Sequence, residues 1–77
     1  MNQVLFFAEL REKTGVYKVD VELTGFSVNQ VKEWVAKDYS MPKVQDAMVA
    51  INEEFALNET IIENGDVIAF IPPVSGG

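Results

Sequence analysis

The chain has 77 residues, 12 acids against 6 bases, no cysteine and no histidine. That length allows one small domain, and the missing residue types exclude disulfides, the usual zinc ligand sets, His-based triads and cysteine nucleophiles. Hydrophobic residues reach 48%, so packing alone must hold the fold, and without clustered Lys/Arg no nucleic-acid partner is expected.

Val4-Leu5-Phe6-Phe7-Ala8 is wholly apolar and rich in aromatic residues, which predicts a buried first strand. Ala8 to Thr14 reads as a short helix stopped by Gly15. Val16 to Leu23 alternates, with Tyr17, Val19, Val21 and Leu23 on one side, as in a half-exposed strand; Thr24-Gly25 is a turn. Ser27 and Gln30 form a capping box, with Phe26 and Val31 placed as a hydrophobic staple. Val28, Val31, Trp34 and Val35 recur at helical spacing, so a helix over 28–38 is expected, with Trp34 in the core. Met41-Pro42 ends that region.

Ala47 to Asn52 reads as a third strand, Glu53-Glu54 as a turn, and Phe55-Ala56 as a short fourth strand. Asn64-Gly65-Asp66 is a tight turn before the last strand, Val67 to Ile71, which Pro72-Pro73 must stop. The first and last strands have no polar face. Strands buried on both faces favour a central parallel pair. The order of elements therefore predicts an α+β fold of the β-grasp type. It would have a mixed sheet, central parallel first and last strands, and one main helix. Residues 1–77 are expected to form a single domain with a flexible tail from 72 to 77.

One long helix covers only one face of such a sheet. Phe6 and Phe7 point to opposite faces, as do Phe70 and Ile71, and one of each pair faces away from that helix. Either an external partner covers this second face, or the Ala8–Gly15 helix and the loops do. The pattern alone does not choose between Phe6 and Phe7. Residues 39–77 hold six acids and one base, Lys43. That half either faces a basic partner surface or serves solubility. The N-terminus has no basic leader pattern, and no apolar run is long enough to span a bilayer. A cytoplasmic protein without membrane contact is expected.

No internal constellation reads as an active site. Glu53-Glu54 points apart and is solvated surface; Asp38, Asp46 and Glu59 lack metal-ligand spacing; Gly25, Gly65, Gly76 and Gly77 form no phosphate loop. The tail differs. Pro72-Pro73 favours a stiff, outward exit, and Gly76-Gly77 has no side chains to obstruct a narrow channel. The domain would then present one reactive group, the α-carboxylate of Gly77. A carboxylate is a poor electrophile and must first be activated, as by transfer to AMP. No nucleotide site exists in this chain to do so.

The opening VLFFAELREKTG (Val4–Gly15), the middle VAINEEFA (Val49–Ala56) and the ending NGDVIAFIPPVSGG (Asn64–Gly77) resemble the MoaD family. These are ubiquitin-like, sulfur-carrying small subunits of molybdopterin synthase. The resemblance spans essentially the whole chain. A terminal GG alone also fits the sulfur carriers of thiamine synthesis and tRNA thiolation; PPVSGG together with FFAELRE favours the molybdopterin member. Asn64 stands where the family often has Asp, and Val67 follows Asp66 one residue early; neither touches the tail.

The resemblance implies a sulfur-donating subunit that is itself not catalytic. Gly77 would be adenylated by an E1-like (ubiquitin-activating-like) adenylyltransferase using ATP, then converted to a thiocarboxylate. This chain would bind no cofactor. The tail, Pro72, Pro73, Val74, Ser75 and Gly76, would insert into the large synthase subunit in a heterotetramer. There sulfur would pass to cyclic pyranopterin monophosphate, with catalytic side chains supplied by the large subunit. Phe7, Arg11, Ile71 and, less strongly, Phe55 match the family's partner interface. A carrier for thiamine or tRNA thiolation, and a ubiquitin-like modifier or interaction module holding no sulfur, are the alternatives.

Overall fold

The computed structural model describes residues 1–72, with the backbone alone at Glu9, Pro42 and Lys43. Five strands, β1 (Asn2–Phe6), β2 (Lys18–Val21), β3 (Met48–Ile51), β4 (Glu54–Phe55) and β5 (Val67–Ile71), form one sheet in the order β2-β1-β5-β3-β4. β1 and β5 are parallel at the centre; β2 and β3 flank them antiparallel. This is the β-grasp arrangement read from the element order. Two helices complete it, α1 (Ala8–Thr14) and α2 (Val28–Asp38).

β1 begins two residues earlier than its apolar run and ends at Phe6. Asn2 is buried, yet every demand of its amide is met. It donates to the carbonyls of Glu63 (2.9 Å) and Asp66 (3.2 Å) and accepts from the Leu23 amide (2.9 Å). A satisfied amide does not break a strand. At the other end Ala8 has φ +52° and turns the chain into α1. Gly15 stops α1 in the left-handed conformation, φ +77°, as expected.

β2 is shorter than the alternation predicts. The Thr14 hydroxyl bonds both main-chain groups of Val16 and holds that end in a turn. At the far end the Asn2 side chain takes the Leu23 amide out of the ladder. α2 has the expected bounds, and both halves of the Ser27/Gln30 capping box form. Phe26, expected to staple onto Val31, keeps a large exposed surface. Its end of the helix is held by main-chain bonds between Gly25, Phe26 and Ile62. Trp34, expected in the core, is half-buried and meets Tyr39 edge-on at 6.2 Å.

A 3₁₀ turn over Pro42–Asp46 was not expected. It buries Met41, Val44 and Ala47, spaced three apart as that helix requires. The turn after β3 and the fourth strand fall one residue earlier than predicted. The turn is Asn52-Glu53 and the strand Glu54–Phe55. Asn52 tolerates a left-handed φ of +52°, and its side chain bonds Asp66 (2.8 Å) and the Val67 amide (3.0 Å).

The core lies between α2 and one face of the sheet. Val4 and Phe6 of β1, Ile68 and Phe70 of β5 and Val49 of β3 pack there with Val28, Val31 and Val35 of α2. Phe6 packs against Phe70 with the rings tilted at 36° and 5.8 Å apart, and meets Tyr39 edge-on at 5.6 Å. Among the described residues, the opposite face of the sheet carries no second long helix.

Candidate functional site

The face away from α2 follows from strand alternation and register. Leu5 lies beside Ala69, Ala69 opposite Ala50, and Ala50 opposite Phe55, so these side chains form one row across the sheet. Ile71 lies opposite Met48 in the next row. The alanines at the centre leave a low floor. Leu5, Phe7, Val67, Ile71 and Phe55 stand around it and enclose an open depression of ≈ 550 Å³.

Phe7 follows β1 in extended conformation, and its amide donates to the Phe70 carbonyl at 3.3 Å. Alternation therefore sends it opposite to Phe6. Phe6 is 1% exposed and Phe7 47%, which settles the choice the pattern left open. Ile71 is half-buried, and Phe55, the weaker sequence candidate, is 69% exposed. The geometry thus joins Phe7, Ile71 and Phe55 in one site.

Arg11 is placed apart. Its guanidinium lies over the Tyr17 ring, 5.4 Å from the centroid, and no described α1 side chain lines the depression. α1 instead turns Leu10 into the main core, so it does not cover this face. Pro72 directly follows Ile71, at the edge where Phe7 and Met48 lie. Pro73, Val74, Ser75, Gly76 and Gly77 lie outside the described residues.

Leu5, Val67, Ala69 and Ala50 belong to this surface but were missed as candidates. Their signal was available: Leu5 is two residues before Phe7, and Val67 and Ala69 lead to Ile71 in steps of two. Met48, 43% exposed, needed the β3–β5 register as well.

Among the described residues, Glu53 is the single charged side chain lining the depression. Glu22, whose pKa is lowered, lies elsewhere. Hydrogen bonding with Thr24, then with the terminal ammonium, holds its carboxyl below the usual value. The described residues hold no group of three acidic side chains placed to bind a metal ion, and no helix long and apolar enough to cross a membrane.

Among the described residues, this apolar sheet face is left open to solvent beside Ile71 and Pro72. The ThiS family model matches residues 4–77, nearly the whole chain. The chain belongs to the ThiS family. The molybdopterin synthase sulfur carrier subunit of Haemophilus influenzae is 38% identical over the full length of both chains. That of Arabidopsis thaliana is also 38% identical, covering 97% of this chain and 81% of the relative. The MoaD resemblance read in the sequence is borne out.

Solved structures agree on the fold. A Pyrococcus furiosus protein described as a candidate molybdopterin converting factor subunit 1 superposes with TM-score 0.81 at 25% identity, over 95% of this chain and 97% of its own. The small archaeal modifier protein 1 of Methanosarcina acetivorans gives 0.78 at 26%, over 99% and 95%. In a complex of subunits 1 and 2 of molybdopterin-converting factor from Helicobacter pylori, one chain gives 0.68 at 22%, over 99% and 97%, a likeness of fold alone. This ThiS-family domain has the α+β β-grasp fold of its ubiquitin-like structural neighbours.

Proposed function

We propose that this chain is the sulfur carrier of a molybdopterin synthase. The observation that carries the reading is 38% identity with a relative of that name over the full length of both chains, with the family model matching through residue 77. The Gly77 carboxylate is adenylated by an E1-like partner at the expense of ATP. A sulfur donor then displaces AMP and leaves a thiocarboxylate. The tail enters the large subunit, and sulfur passes to cyclic pyranopterin monophosphate. Forming the dithiolene needs two sulfurs, hence two carriers or two cycles.

The sheet face supports the docking half of this reading. Phe7, Ile71 and Phe55 are apolar and clustered around one open depression, and aromatic anchors are enriched at the centres of interfaces. The assay is direct: thiocarboxylated chain, the large subunit and cyclic pyranopterin monophosphate are mixed, and molybdopterin is measured. Product is expected; its absence would assign the chain to another acceptor. Phe7→Lys should weaken large-subunit binding by about ten-fold or more, since it puts a charge into an apolar contact. Folding stability should change by less than about 1 kcal/mol, because half the side chain is already in water. Titration calorimetry and thermal unfolding read the two effects separately.

A second reading, a protein modifier, draws on the likeness to the small archaeal modifier protein. A modifier would be recovered with Gly77 in amide linkage to lysines of other proteins, and without a thiocarboxylate.

A further inference from the structure

We propose that Glu53 selects the docking partner, by pairing with a Lys or Arg that borders the partner's apolar surface. This rests on the docking reading above and adds a residue to it.

The first observation is backbone strain. The β3–β4 hairpin turns on Asn52 and Glu53, with φ of +52° and +71°. Such a two-residue turn requires left-handed conformation at both positions, and Asn-Gly is the favoured pair because Gly adopts it freely. Asn52 fits the first position, and its side chain is occupied by Asp66 and the Val67 amide. Glu53 stands where Gly would be unstrained. A residue that carries a Cβ there makes the hairpin harder to form.

The second observation is that the fold makes no use of the carboxylate. Glu53 is exposed, and among the described residues it accepts no hydrogen bond and joins no ion pair. Strain without any return inside the domain points outside it.

The third is position. Glu53 lines the depression beside Phe55 and is the single charged group there among the described residues. The opposite edge of the same face is mixed: Lys18 pairs with Leu5, and Asp20 with Gln3. The β4 edge therefore carries an uncompensated negative charge against an apolar surface. A partner closing over Phe7, Ile71 and Phe55 excludes water from that edge. A cation facing Glu53 then gains attraction, whereas an apolar or acidic group would strand the carboxylate. Together these identify the complement as a cationic side chain next to an apolar patch.

The test uses the full chain and the large synthase subunit of the same organism. Binding is measured at low and high salt for the native chain, Glu53→Gln, Glu53→Gly and Glu53→Lys, with thermal unfolding of each. Glu53→Gly should unfold at a temperature higher by about 4 °C or more, through relief of the positive φ, yet bind about five-fold more weakly. Glu53→Gln should bind as weakly as the glycine variant, without its gain in unfolding temperature. Glu53→Lys should bind more weakly still. All three variants should lose part of the native salt dependence. Native binding together with unchanged affinity in Glu53→Gln and Glu53→Gly overturns the proposal and leaves the docking reading intact. Unchanged or lower unfolding temperature in Glu53→Gly overturns the strain argument. No binding by the native chain removes the docking reading itself, and the role of Glu53 with it.

Discussion

Deletion of Gly77, or a single residue added after it, is expected to abolish sulfur transfer and leave thermal unfolding unchanged. The second half follows from where the core lies. Among the described residues its buried hydrophobic members run from Val4 to Phe70, and a change at position 77 removes none of them. The first half follows from how a tail places its end. One added residue moves the terminal carboxylate by about 3.5 Å in extended chain. A displacement of about 1 Å already costs roughly a hundred-fold in reactions that depend on alignment. The added residue also brings a side chain, unless it is Gly, to a point where Gly76-Gly77 offers none. Molybdopterin formation by the shortened or extended chain at the native rate would show that Gly77 is not the sulfur-bearing position.

The second large effect is on folding. Phe70→Ala should destabilise the domain by about 3–5 kcal/mol. Phe70 is fully buried at the centre of the sheet, its ring packed against that of Phe6, and it is paired in register with Phe6 and Val49. Small domains have a total stability of about 5–15 kcal/mol, so this single change brings the chain close to unfolding. The contrast with Ile71, one residue on, is instructive. Ile71 lines the open depression on the other face, so on the proposed docking role truncating it should cost affinity more than stability. Urea unfolding of the two variants separates the faces of β5 residue by residue. Equal losses of stability would mean that both faces are core.

The fold was legible where the pattern of residues is local and redundant. VLFF and VIAFI are apolar at every position, and that placed both strands at the centre of the sheet as a parallel pair. Ser27, Gln30 and the apolar positions of α2 fixed that helix to the residue. What escaped depends on contacts distant in sequence. Asn2 looks like a strand breaker until Glu63, Asp66 and Leu23 bring their main-chain groups to its amide. The one-residue shift of the β3–β4 turn depends on Asn52 reaching Asp66 and Val67 across the sheet.

The candidate site was legible in part for the same reason. Alternation puts one of Phe6 and Phe7, and one of Phe70 and Ile71, on the second face; family likeness pointed to Phe7 and Ile71, and burial of Phe6 and Phe70 in the fold agrees. The prominence of Phe55 depends on the register of a two-residue strand, which the sequence does not encode locally. Arg11 came from family likeness, and the fold sets it against Tyr17 instead of in the depression. Glu53 gave no signal in the sequence, because its significance lies in a backbone angle.

Sulfur carriage on a main-chain carboxylate is the central claim, and it suits a chain with no cysteine to hold sulfur elsewhere. Intact-mass measurement on protein isolated from its native host tests it most directly. The expected species is heavier than the encoded chain by the difference between one sulfur and one oxygen, with the change placed on Gly77 by fragmentation. Recovery of unmodified chain alone, even after incubation with the activating enzyme, ATP and a sulfur donor, would contradict it.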